Sequence, residues 1–509
     1  MRHHLLAVLF VLSACSYVHP QMRLAPPEEA PLPAGMNTES YSRLEDNPFL
    51  EAKQNPLSTF SIDVDTASYA NVRRLLTSGT RPPKDAVRIE ELVNYFPYRY
   101  PAPEGDSPFA VHAETMPCPW NPGHRLVKLG LKGRELETKT RPAANLVFLL
   151  DVSGSMSDSN KLPLLKAALK LLVSQLRDDD RVAIVVYAGA SGLALPSTPG
   201  SQKPTILAAL EELNAGGSTN GAAGIQLAYR TAAENFRPGG INRVILATDG
   251  DFNVGTSSEG ELTRLIEEKA KTGVFLTVLG LCMGNYKDSM LEKLADKGNG
   301  NYAYLDTLHE AKKVLVEQAA GTLVTIAKDV KLQVEFNPAR VAAYRLIGYE
   351  NRLLRSEDFN DDQKDAGELG AGHTVTALYE IVTAGDGVKL PGVDPLKYQR
   401  PAVVKEESSE LMTVKLRYKH PEGEESRLIS FAVQDSPGQA LGQATPDARF
   451  AAAVAEFGLL LRDSPHKGQA SWTSVMDLAS GAAGDDVYRR EFLELVKTAQ
   501  ALQLSSAQE

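Results

Sequence analysis

"LVFLLDVSGSMSDSNK", residues 146–161, decides how this chain is read. It opens on five consecutive apolar residues, Leu146 to Leu150. A run so short and so rich in Leu and Val fits a strand buried on both faces. Asp151, Ser153 and Ser155 follow at once, with no turn between. An acid and two hydroxyls are thus carried to the end of an oily strand, where only a ligand or a helix start would give them work.

The pattern repeats outward from this stretch. Strand-like runs fall at 146–150, 182–187, 244–247, 274–281 and 302–305, with helical periodicity at 161–176, 205–213, 221–235, 261–272, 289–297 and 308–319. Short apolar strands alternating with helices specify an α/β domain over 145–320, a doubly wound, mostly parallel sheet covered on both sides. Both flanks differ. Residues 57–144 read as a short strand, a helix at 68–76, a second helix in "DAVRIEELVNYF" and alternating strands at 109–115 and 125–132. Residues 321–440 hold strands such as "DVKLQVEF", "HTVTALYEIV" and "LMTVKLRYK", whose alternation leaves one face wet. They predict an antiparallel sheet or sandwich, with the strands just before residue 145 placed to complete it. Residues 441–509 carry two strong helical patterns, expected to pack against that sheet.

The composition is that of a globular protein, 43% hydrophobic and 23% charged over 509 residues, enough for two or three domains. The formal charge of −10 gives no electrostatic reason to expect a nucleic-acid partner. Residues 1–14 have a short basic lead, an apolar core from Leu5 to Leu12 that is too short to span a bilayer, and small residues at its end. They read as a secretory signal. "LSAC", ending at Cys15, resembles the lipobox of bacterial lipoproteins, which implies that Cys15 is lipid-modified and anchors the chain. Ser16 rather than Asp after it favours the outer membrane by the same analogy. The alternatives are an ordinary signal peptide with an incidental Cys and a buried N-terminal helix. Residues 15–56 then form a tether stiffened by proline in "RLAPPEEAPLPAG". Cys118 and Cys282 are expected as two separate, partly buried thiols.

In an open parallel sheet, ligands bind beyond the carboxyl ends of the strands. Asp151 lies at such an end, and so does Asp249 in "VILATDGDFNVG". The loop "NAGGSTNGAAG" brings Ser218 and Thr219 before a helix. Two acids on one rim repel each other, and burying one unpaired is costly; a cation removes the cost. The offered ligands are all oxygens, which selects a hard divalent ion, Mg²⁺ first, with Mn²⁺ or Ca²⁺ as alternatives.

At this point the pattern resembles the metal-ion-dependent adhesion site of von Willebrand factor type A domains: D-x-S-x-S at Asp151, Ser153 and Ser155, the distant Thr219, and the later T-D-G at Asp249. The resemblance covers about a third of the chain. It implies that Ser153, Ser155 and Thr219 ligate the ion through hydroxyls, that Asp151 and Asp249 act directly or through water, and that a partner's Asp or Glu carboxylate fills the open position. The flanking segments, together with "FSIDVDTASYANVRR", look like bacterial lipoproteins that carry such a domain between β-rich regions.

Other sites fit less well. An EF-hand loop beginning at Asp151 would need Gly where Met156 stands and Glu where Leu162 stands. Ser153 and Ser155 lack the glycines of a nucleophile elbow, and "GGSTNGAAG" lacks the Lys of a phosphate-binding loop. Helix capping by these polar residues would account for one loop but not three. Asp63 and Asp65 in "SIDVDTAS" resemble an aspartyl-phosphatase nucleophile motif, but Ala67 breaks it; a turn at these acids, with Asp65 as N-cap for the helix that follows it, is the preferred reading. The expected function is therefore a non-enzymatic, lipid-anchored envelope protein that binds a protein partner through its metal. The alternatives are an assembly scaffold whose metal is structural and, last, a metal-dependent hydrolase.

Overall fold

The computed structural model describes residues 39–136, 141–217, 221–250, 259–281, 287–364, 366–385, 408–421, 423–436 and 440–506. The signal sequence, Cys15 and most of the tether lie outside them, as do Ser218, Thr219 and Cys282. Among the described residues no helix is long and apolar enough to cross a membrane.

The expected central sheet is present. Its six strands are β1 (Ala144–Asp151), β2 (Arg181–Tyr187), β3 (Ser191–Pro199), β4 (Ile241–Thr248), β5 (Phe275–Gly280) and β6 (Tyr302–Tyr304), in the order β6-β5-β4-β1-β2-β3. All neighbours are parallel except β2 and β3. β1 lies at the centre and every residue of it is buried. Its period of two divides the apolar residues between two cores. Leu146, Phe148 and Leu150 meet the helix Leu162–Ser174, while Val147 and Leu149 meet the helix Gly221–Glu234. The antiparallel edge β3 has no counterpart in the sequence reading. "SGLALPSTP" holds two prolines, which demote a strand signal and are tolerated only at an edge.

The flanks interleave. One antiparallel sheet runs in the order Leu50–Glu51, Val341–Ile347, Thr374–Thr383, Arg125–Gly133, Phe109–Pro117. A second contains Gly367–Gly370, Thr325–Phe336, Glu410–Lys419 and Ser426–Gln434, with Leu57–Ser61 also paired to Thr325–Phe336. Val127, Leu129 and Leu131 of the first share one core with Leu332, Val334 and Leu416 of the second, so the two sheets form a sandwich. The boundaries at 57–144 and 321–440 divide the chain, but in space strands from both segments build the same layers. The helices Pro446–Arg462, Trp472–Ala483 and Val487–Ser506 join Ala67–Thr77 and Ile89–Asn94 around another core, containing Phe96, Phe450, Phe457 and Phe492.

Buried arginines tie the central domain to its flanks. Arg352 pairs with Asp63 (3.3 Å), Asp65 (3.4 Å), Glu292 (2.9 Å) and Asp296 (2.5 Å). Arg88 pairs with Glu91 and Asp288. Arg73 pairs with Asp306 and with Glu310 (2.8 Å). The expected N-cap at Asp65 is corrected here. Thr66 occupies the cap position without a side-chain bond, and Asp65 instead accepts the Tyr302 amide at 2.7 Å. The helix expected at 308–319 is also interrupted, with a π-turn over Lys313–Glu317. The wider turn accompanies burial of Lys313, whose ammonium donates to the Tyr95 carbonyl at 2.7 Å.

Candidate metal centre

The carboxyl ends of β1 and β4 lie side by side, because the two strands pair in register from Ala144↔Ile241 to Leu150↔Ala247. Asp151 closes β1 and is fully buried; Asp249 follows β4 and is 3% exposed. The chain after Asp151 folds back on itself. The Ser153 amide donates to Asp151 Oδ1 at 2.9 Å, and the Ser153 and Ser155 hydroxyl oxygens lie 3.0 Å apart. Ser153 is buried and Ser155 is exposed, so this pair leads from the floor of the site to its mouth.

The glycine-rich loop is tied to the same place. The Gly154 amide donates to the Gly217 carbonyl at 3.0 Å and the Gly216 amide to the Val152 carbonyl at 2.8 Å. Gly217 adopts φ +85, a conformation that favours glycine. The structure thus gathers Asp151, Ser153, Ser155 and Asp249. It brings residues 216–217 against them, and Thr219 itself lies outside the described residues.

Three contributors were not anticipated. Thr248 Oγ1 donates to Asp151 Oδ2 at 3.3 Å and accepts from the Gly250 amide at 3.2 Å. The Tyr187 hydroxyl, at the end of β2, faces Asp151, and burial pushes its pKa well above the usual value. Lys161 reaches back from the start of the helix Leu162–Ser174. Its Nζ lies 3.0 Å from Asp249 Oδ2 and 3.0 Å from the Ser155 carbonyl. Thr248 and Tyr187 are in plain view in the sequence, at the ends of strands neighbouring β1. Lys161 has no local signal, because it acts across the loop rather than along the strand.

The donor set suits a hard divalent cation. Burial raises the Asp151 pKa; the Ser153 bonds oppose this and the charge of Asp249 adds to it. Among the described residues, the site sets two buried carboxylates against one ammonium, and the other side chains around them offer hydroxyl oxygens. Asp151, Ser153, Ser155 and Asp249 would hold the ion. A second convergence of acids, Asp65, Glu91 and Glu292, has carboxylate oxygens within 4.8 Å of one another. There Arg88 and Arg352 already supply the positive charge, and the group belongs to the clamp between the central domain and its flanks. Cys118 is buried as a free thiol and burial raises its pKa.

Sequence comparison agrees with this architecture. The model of the von Willebrand factor type A domain matches residues 145–317. A model described as "von Willebrand factor" matches 35–128, and one described as "Uncharacterized protein YfbK, C-terminal" matches 321–502. The chain is 46% identical to "Uncharacterized protein YfbK" of Escherichia coli (strain K12) over 477 residues, 92% of this chain and 82% of the relative. It is 26% identical to "Uncharacterized protein sll0103" of Synechocystis sp. over 37% of this chain and 43% of the relative. Among solved structures, "von Willebrand factor type A from Catenulispora acidiphila" aligns over 88% of this chain and 90% of that one, at 16% identity and a TM-score of 0.42.

Proposed function

Because this chain belongs to the family of the Escherichia coli protein YfbK and contains a von Willebrand factor type A domain, we propose that it is a non-enzymatic envelope lipoprotein that grips an acidic group of a protein partner through a bound divalent cation. Cys15 anchors it, most fittingly to the outer membrane, and the proline-rich tether holds the folded part off the lipid. The observation carrying this reading is the convergence of Asp151, Ser153, Ser155 and Asp249 at one end of the sheet, with Ser155 at the exposed mouth. Hydroxyl ligands are neutral, so the bound ion keeps much of its charge for an outside carboxylate. Mg²⁺ fits the oxygen donors best, with Mn²⁺ or Ca²⁺ as substitutes.

The test is capture of envelope proteins by the immobilised chain, with Mg²⁺ or with chelator. Wild type should retain a partner only with Mg²⁺, and Asp151→Asn and the double change Ser153→Ala, Ser155→Ala should lose it. Retention through chelation and through both variants would overturn the reading. A scaffold role has one observation in its favour, the clamp of Arg73, Arg88 and Arg352 that fixes the central domain between its flanks. In that case the same variants would lower the melting temperature and leave the complex intact.

A further inference from the structure

Lys161 stands where helix physics disfavours it. It is the residue before the helix Leu162–Ser174, at the end where the backbone dipole repels a cation. It is also 7% exposed, and a lysine so buried normally needs a partner. Its Nζ spans two loops, meeting Asp249 Oδ2 and the Ser155 carbonyl at 3.0 Å each. The other acid near it, Asp158, is 3.9 Å away with its side chain 68% exposed, so solvent screens that pair. An unfavourable place, a buried stem and two site contacts argue that this ammonium serves the site and not the helix.

Charge counting shows how. Among the described residues the site holds Asp151 and Asp249 against Lys161, a net charge of −1. Ser153 and Ser155 add none, and neither would Thr219. A divalent cation takes the set to +1, and one incoming carboxylate closes it at zero. Without Lys161 the loaded set would already be neutral and would attract an anion weakly.

We propose that Lys161 is a resident counter-charge that weakens the hold on the bare cation and strengthens the coupling between the cation and an anionic ligand. The inference rests on the metal reading above and assigns Lys161 a specificity role within it. Linkage makes the coupling reciprocal: a carboxylate ligand must tighten cation binding by the same factor that the cation tightens the ligand.

The experiment measures Mn²⁺ affinity of the full chain by paramagnetic resonance, corrected for Mn²⁺ taken up by the buffer. It compares sodium acetate with sodium chloride at equal ionic strength, for wild type, Lys161→Met and Lys161→Gln. In chloride, both variants should bind Mn²⁺ at least about tenfold more tightly than wild type, the floor set by repulsion between a unit charge and a divalent ion a few ångströms apart even when water screens the pair fully. Acetate should tighten Mn²⁺ binding in wild type and barely change it in the variants. Equal or weaker Mn²⁺ binding by folded variants would overturn the role of Lys161 while leaving the metal site standing, because an organising lysine would lose affinity on removal. The acetate comparison on wild type holds even if a variant does not fold, and no tightening there would also overturn the proposal. Wild type that binds no Mn²⁺ at all would overturn the metal reading itself.

Discussion

Thr248 and Asp151 end neighbouring parallel strands, and the Thr248 hydroxyl donates to the buried Asp151 carboxylate at 3.3 Å while accepting the Gly250 amide at 3.2 Å. One side chain therefore fixes both the acid that closes β1 and the backbone leaving β4. Thr248→Val keeps the shape and removes both bonds. It should cost about 2 kcal/mol, the scale of a buried hydrogen bond to a charged group, and weaken Mn²⁺ binding severalfold. Denaturant unfolding and Mn²⁺ titration of the same protein check the two effects. A loss of stability with unchanged Mn²⁺ affinity would show that Thr248 supports the strand ends alone.

Divalent cations should stabilise the fold, because a ligand of the native state shifts the unfolding equilibrium by mass action. At a hundredfold excess over Kd the gain is about 2.7 kcal/mol. Calorimetry with and without Mg²⁺ should show a higher Tm for wild type and no Mg²⁺ response for Asp151→Asn. An equal response in both would place the binding elsewhere.

Arg352 is the centre of one clamp, with four carboxylates around it from both the flanks and the helix Asp288–Lys297. Burial with the repulsion of neighbouring acids pushes Asp65 well above the usual carboxylate range, and raises Asp296 to about 7 despite Arg352. Arg352→Met would leave those acids facing one another. The expected loss is about 3–5 kcal/mol, typical of breaking a buried ion pair from one side. A Tm within a degree of wild type would refute the clamp.

Glu456 carries a pH signature. It is fully buried in the helix Pro446–Arg462 and accepts from the Ser471 amide and the Ser474 hydroxyl, yet burial raises its pKa to about 7. Its folded pKa lies above the unfolded value. Its contribution is therefore fully present below about pH 4.5 and is lost as the pH rises through 7. Glu456→Gln stays neutral throughout, and the Ser474 hydroxyl can turn to accept from the new amide. Relative to wild type, the variant should gain about 3 kcal/mol between pH 4.5 and pH 8.5, read from urea unfolding at a series of pH values. A constant difference across the series would exclude Glu456 as the titrating group.

Cys15 gives the membrane prediction. Cys15→Ser should abolish incorporation of labelled palmitate and release the chain from the membrane fraction, while leaving Mn²⁺ affinity unchanged. Membrane retention by Cys15→Ser would mean that another part of the chain holds it there.

The sequence by itself determined the parallel strands of the central sheet and the position of its functional rim, but not the antiparallel edge Ser191–Pro199. A strand such as Leu146–Asp151 announces itself by apolar side chains on both faces, and the sheet rule puts its last acid at the ligand-binding edge, where the structure places Asp151, Ser153, Ser155 and Asp249. Only the tertiary structure decided which flanking strands are neighbours. Alternation tells which face of Thr325–Phe336 is buried, but not that Leu57–Ser61 lies beside it, because a period of two fixes orientation and carries no address. For the same reason Asp65 read as a helix cap until Arg352 and the Tyr302 amide came to meet it from distant parts of the chain. Lys161 read as an ordinary helix start until the fold laid it across the site against Asp249.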